Sequence, residues 1–343
     1  MAVGQAARAF PEAVEQHYAR SLYPKIGAAL NRAARGWESF VGLTPGDLSV
    51  RGTSLSEALV GLGVGALAVL LWRAGRRGVG ALFRRVLVAA GLLYGAFLLT
   101  WGLNHARLPL ASTLGLEPGG VTAQALNEVA LELERDLRAE LLEYEDAGAA
   151  EASGWGALAA RAWAEALVDE PELGWQAEAV VRAPAASSIL AAAGISGIFS
   201  PFTQEAHVAA GMPAVDLAFT ACHEIAHAQG WAREDEANYL AWRVASRSSH
   251  AGLRRAGLAL ALVHVHRALR RADPKLQHAR ALALDVRIVT LLEERSAYWA
   301  GVRSQVAAGA AGAVNDAYLR SQGQRHGVAS YGRMVDLLVA ELR

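Results

Sequence analysis

The sequence predicts a mainly helical protein in which an apolar helical hairpin precedes a larger α-helical domain with a small β element. Three observations predict it. The chain of 343 residues is 53% hydrophobic and only 19% charged, against about 25% charged in an average soluble domain. Its first third holds two apolar stretches long enough to cross a bilayer. The remainder keeps a helical period almost throughout, with one segment of different texture. The organisation that follows is an N-terminal helical segment (1–52), a transmembrane hairpin (53–103) and a folded domain (104–343).

The hairpin comes first because it sets the topology. Residues 86–103 ("VLVAAGLLYGAFLLTWGL") are 18 without a charge, and 55–72 ("LSEALVGLGVGALAVLLW") are 18 with one acid, Glu57. A helical span needs about 20 apolar residues, and Trp72 and Trp101 sit where interfacial aromatics belong. The connector "RAGRRGVGALFRR" carries five arginines and no acid. By the positive-inside rule it is expected on the cytoplasmic side, with 1–52 and 104–343 outside. The opening "MAVGQAARAF" lacks the apolar core of about 7–15 residues of a cleavable signal, so the hairpin itself is expected to direct insertion.

The other elements follow in order. Pro11 to Phe40 reads as an amphipathic helix broken at Pro24. Thr122 caps a helix to about Asp146, with Leu126, Val129, Ala130, Leu133 and Leu137 as its apolar stripe. The stretch "EASGWGALAARAWAEALVDEPELG" gives another, stopped before Pro171. From Val180 to Met212, Gly, Pro and Ser alternate with Ile195, Ile198, Phe199 and Phe202, which suits one or two short strands and a loop. "LRRAGLALALVHVHRALRR" is an apolar helix too short in its uncharged part to span. The last third is helical, apart from a loop at "SQGQRHGVASYG".

Several function classes are excluded or disfavoured at once. Lys+Arg equals Asp+Glu and no basic run carries interleaved aromatics, so no nucleic-acid partner is expected. A single cysteine, Cys222, rules out an internal disulfide or a thiolate cluster, and a metal would have to use His and carboxylate.

Residues 221–238, "ACHEIAHAQGWAREDEAN", supply that set. A helix from about Ala214 places His223 and His227 one turn apart on one face, with Glu224 beside them, the HExxH arrangement in which two imidazoles hold zinc and the glutamate serves as general base. Gly230 is placed to end the helix in a left-handed conformation. A second helix, "EDEANYLAWRVAS", then returns at once. It offers Glu234 as third metal ligand, with Glu236 as the alternative, and Asn238 one turn on as an acceptor for an imidazole N–H. The apolar positions Leu217, Ala218, Ala221, Ile225 and Ala226 imply a buried helix, where two histidines and a glutamate are costly without a partner. The metzincin variant would need histidine at 233, where the chain has Arg233, so the pattern points to a gluzincin-type site.

At this point the chain also resembles a bacterial membrane family, domain of unknown function 3810. The blocks that carry the resemblance are "FPEAVEQHYARSLYPKI", "WGLNHARLPL", "GISGIFSPFTQEAHV", "FTACHEIAHAQGWAREDEANYLA", "VNDAYLRSQGQ" and "GVASYGRMVDLL", which together run over nearly the whole chain. The resemblance implies a multi-pass membrane protein with a zincin-like domain and a metallopeptidase activity.

Other residues carry weaker signals. Cys222 diverges from His223 by about 100° around the helix and reads as a core residue. His264 and His266, two apart, cannot face one ion. His207 reads as structural. Tyr331, in "GVASYGR", is a candidate oxyanion donor, and "GISGIFSPF" a candidate strand edge for an extended peptide. The expected protein is therefore a membrane-anchored, Zn2+-dependent hydrolase of peptide or protein substrates, seated in a lipid bilayer. A zinc amidase acting on cell-wall peptides and a non-catalytic zinc-stabilised scaffold are the alternatives, the latter disfavoured because a structural site has no use for Glu224 and is normally closed by four ligands.

Overall fold

The computed structural model describes residues 9–42, 48, 51–74, 79–143, 154–175, 179–321 and 333–343. It is mainly helical, with one small sheet. A π-helical stretch, Val14–Leu22, runs directly into α1, Tyr23–Val41. The expected break at Pro24 is therefore a widening of the helix. Proline lacks an N–H, and its ring collides with the carbonyl four residues back in a regular helix. In the π stretch the bonds reach one residue further, as from the Tyr23 N–H to the Tyr18 carbonyl, and the extra room accommodates the ring.

Helices α2 (Leu55–Ala74) and α3 (Val79–Thr100) are the predicted hairpin. Both are long and apolar enough to cross a membrane, over Leu55–Arg73 and Leu82–Thr100, and neither is buried by the rest of the chain. Leu59, Val60, Leu62 and Val64 on the first, and Leu87, Val88, Leu92 and Leu93 on the second, are exposed. Such a surface on a lone soluble chain would exceed the apolar patches that water tolerates. Of the arginine-rich connector, 75–78 lie outside the described residues; Arg73, Arg84 and Arg85 are exposed.

A short 3-10 turn, Gly102–Ala106, and α4, Leu110–Leu114, lead to α5, Ala123–Glu143. Thr122 caps α5 as expected, its Oγ1 accepting the Ala125 N–H at 3.1 Å, and Leu126, Val129, Ala130, Leu133 and Leu137 are buried. Then come α6 (Trp155–Asp169), strand β2 (Val180–Pro184), α7 (Ser187–Ala192), β3 (Gly197–Ser200) and β4 (Glu205–Val208). A two-residue strand, β1 (Arg51–Gly52), joins them, giving the order β1-β2-β4-β3. The β1–β2 and β2–β4 pairs are parallel, and β3 runs antiparallel to β4 as the edge strand. Neither β1 nor the short α7 is expected from sequence. A two-residue strand has no period of its own and exists only because residues 183–184 lie beside it.

Behind the sheet stand α8 (Ala214–Ala228), α9 (Glu234–Ser246) and α10 (Ala251–Ala272), followed by α11 (Pro274–Leu282), α12 (Val286–Val302), α13 (Gln305–Ser321) and α14 (Met334–Leu342). The main core gathers the apolar faces of α5, α6, α8, α9, α10 and α14. Helix α8 is its axis, buried from Val215 to Ala228. A residue such as Ile225, fully buried there, contributes about 1.5–3 kcal/mol by leaving water. A polar side chain on α8 survives only with partners, and that condition selects the site.

Candidate metal centre

Helix α8 ends as the sequence predicts and then turns sharply. Gly230 takes a φ of 89°, and a methyl group there would meet Tyr23, Arg107 and Asn104 at 3.0–3.2 Å. Glycine is therefore required both for the backbone angle and for space. Arg107 packs the turn from outside. Its guanidinium donates to the Gly230 carbonyl at 3.1 Å, lies 4.1 Å over the Trp231 ring and forms a two-pronged pair with Glu15, both contacts at 3.0 Å. Burial works against the charge on Glu15, but Arg107 and then Arg20 outweigh it and hold the carboxyl below its usual range.

The last carbonyls of a helix have no partner within it. Here aromatic side chains supply donors: the indoles of Trp101 to His227 O and of Trp175 to Ala228 O, and the hydroxyl of Tyr23, also to Ala228 O, at 2.9–3.1 Å. The tail of α8 is thereby fixed, and the imidazoles on it with it.

The turn delivers Glu234 to those imidazoles. Nε2 of His223 and Nε2 of His227 lie 3.3 and 3.6 Å from the same oxygen of Glu234, and one ligand atom from each of the three residues falls within 4.8 Å of the others. All three are largely shielded from solvent. Neither contact is aligned as a hydrogen bond, and among the described residues Oε2 of Glu234 has no hydrogen-bond partner. Two imidazoles and a carboxylate form a donor set found at catalytic zinc, and bond lengths of about 2.0–2.1 Å give tetrahedral edges of about 3.3–3.4 Å, close to the two histidine–glutamate spacings of 3.3 and 3.6 Å. These residues therefore fit a divalent ion of that kind.

Electrostatics agree with the geometry. Burial raises the Glu234 carboxyl, but His223 and His227 outweigh it and hold it well below the usual range. For His227, burial lowers the imidazole, yet Glu234 and Glu224 overcome this and push it up to about 9. Protons and a metal ion would compete for the same converging lone pairs.

Glu224 is 4% exposed, and its Oε2 has no hydrogen-bond partner among the described residues. Burial pushes its carboxyl up to about 7; His223 and His227 oppose the rise and Glu234 adds to it. A carboxyl poised near neutrality is suited to taking and returning a proton. Gly197 of β3 makes room for it, since a methyl there would sit 2.5 Å from Glu224 Oε1.

The other expected residues separate cleanly. Glu236, the alternative ligand, is turned away, accepting the Leu110 N–H and an Arg233 guanidinium N–H, both at 2.8 Å. Asn238 is buried on α9, but the acceptor that orients His227 is another group. Nδ1 of His227 meets the Trp231 carbonyl at 2.7 Å, and Nδ1 of His223 has no hydrogen bond. The reason is the Gly230 turn, which folds that carbonyl back under the imidazole. His207 is held between the Ile198 carbonyl and the Ser56 hydroxyl, a structural place, and Cys222 is buried in the core. Tyr331 lies outside the described residues.

Two neighbours of the centre, Trp101 and His105, are not expected from sequence to lie at the site. The Trp101 ring lies 5.9 Å from that of His227 and 5.2 Å from that of His105. Burial lowers the His105 imidazole to about 4, His227 and Arg233 adding to the effect. A histidine four residues beyond an interfacial tryptophan was the available signal; only the fold shows that it meets the HExxH helix.

A mainly helical protein with two helices that could span a membrane, and with two histidines and a glutamate clustered behind a small sheet, is the class that fold and site define. The chain matches the family model described as "Protein of unknown function (DUF3810)" over residues 18–339, and it belongs to that family. No curated protein and no solved structure matches it.

Proposed function

We propose that this protein is a membrane-anchored, zinc-dependent hydrolase that cleaves peptide bonds, with α2 and α3 as its anchor and the zincin-like domain on the extracytoplasmic side. The observation that carries the reading is the convergence of His223, His227 and Glu234 beside an unpartnered, buried Glu224. A structural metal site needs only ligands; a free carboxyl next to them, raised to about 7, suits a base. His223, His227 and Glu234 would hold zinc, which when bound supplies Lewis acidity towards a carbonyl and towards water. Glu224 takes the proton from the attacking water and delivers it to the leaving amine. Trp231 O keeps His227 in the tautomer that presents Nε2. Strand β3, at the sheet's edge against Glu224, offers its main chain to an extended substrate.

The test is Glu224→Gln, which keeps size and hydrogen bonding but cannot take up the proton. The variant is expected to keep its zinc and its stability within about 1 kcal/mol, while hydrolysis of a peptide library falls at least about 100-fold. A variant that loses zinc, or one as active as the parent, overturns the reading.

A further inference from the structure

The position of the site relative to the hairpin defines which peptides reach it. The first span begins at Leu55 and the second ends at Thr100. Glu205 of β4 accepts the Leu55 and Ser56 N–H groups at 3.1 and 2.8 Å, so the first turn of α2 is gripped by the sheet. Glu205 is also the register partner of Ser200, the last residue of β3. At the strand's other end, Gly197 faces Glu224 closely enough that a methyl group on it would sit 2.5 Å from Oε1. Between them Phe199 lies 5.5 Å from the ring of Trp101, the first residue after α3. Tyr18 ties the same spot from the N-terminal helix, donating to the Leu99 carbonyl at 3.0 Å. Strand β3 therefore leads from the mouth of the hairpin to the general base. At about 3.3 Å per residue this path is roughly 10–13 Å long.

From this we infer that the substrate class is the juxtamembrane stretch of a membrane-anchored polypeptide: an extended segment that leaves the bilayer beside α2 and α3, lies along the outer edge of β3 and is cut about 3–5 residues from its anchor. The inference rests on the hydrolase reading above and adds where the substrate comes from. A soluble peptide has to find an edge that stands against the membrane surface. A tethered one meets it at an effective concentration of about the millimolar range.

Two measurements on the full chain in vesicles test it. In the first, a randomised fluorogenic peptide is supplied free, or joined to a single leucine-rich transmembrane helix by Gly-Ser linkers of about 4 or about 30 residues. The expected result is cleavage through the short linker at least as fast as through the long one, and at least about 10-fold faster than free peptide. Cleavage of free or long-linked peptide only, with the short linker resistant, overturns the inference and leaves the hydrolase intact; no cleavage in any arm overturns both. The second measurement needs no turnover. Ile198 is half exposed on β3, and the chain's one native cysteine is buried, so a fluorophore can be placed selectively on Ile198→Cys. Lipid-borne quenchers are expected to quench it to at least half the extent seen for the same label on Leu93→Cys, mid-way along α3. Quenching no greater than in quencher-free vesicles shows that the edge stands away from the membrane and overturns the inference.

Discussion

Two glutamates two positions apart on α9 have opposite surroundings, and their variants should separate accordingly. Glu234 shares one oxygen between two imidazoles, whereas Glu236 holds the Leu110 N–H and Arg233. Glu234→Gln is expected to lower zinc affinity by more than the about 10–100-fold typical of outer-sphere partners. Glu236→Gln should keep the metal and lose stability instead, read as zinc content against melting temperature. A second residue-scale prediction concerns Glu15. Its carboxyl is held below the ordinary value of 4.5 in the folded state, so the stability it adds is present above the unfolded-state value and lost as pH falls through the folded one. Melting temperature should drop from about pH 4.5 downwards. Glu15→Gln should flatten that acid limb while costing about 3 kcal/mol at neutral pH, because it leaves buried Arg107 short of its counter-charge.

Among the elements, β3 and α8 are coupled at one glycine. Gly197→Ala would press on Glu224 and Thr220. The overpacking is expected to cost about 1–3 kcal/mol. Displacing the base by a fraction of an ångström to an ångström should cut hydrolysis by up to about 100-fold with zinc retained, measured as kcat beside metal content. Elements like α8 are legible in sequence because everything that defines them is local: the helical period, the paired histidines and the glycine at 230. Glu234 could be placed for the same reason, since the return helix follows at once. What could not be read rests on main-chain groups or on distant partners. The acceptor for His227 is the main chain of Trp231, which leaves no side-chain signature. Trp101 comes to the site across 126 residues of chain and His105 with it, against the Trp101 ring, and β1 has no identity apart from β2. Pro24 was legible as a perturbation but not as a π stretch, since proline alone does not say whether a helix breaks or widens.

For the molecule as a whole, the hairpin fixes orientation. Five arginines in the connector predict that a reporter fused after Arg77 behaves as cytoplasmic and one fused at Gly119 as external; the reverse pattern would place the metal centre inside the cell. The grip of Glu205 on the start of α2 also sets an order of assembly. Its partner Leu55 emerges 150 residues earlier, which at about 5–20 residues per second is roughly 8–30 s of synthesis. Arg182 and Glu38, paired at 2.6 Å in the interior, are separated in the same way. During that interval α2 already exists while its clamp has yet to be made. The nascent domain folds back onto α2, and the clamp closes only once β4 has been made.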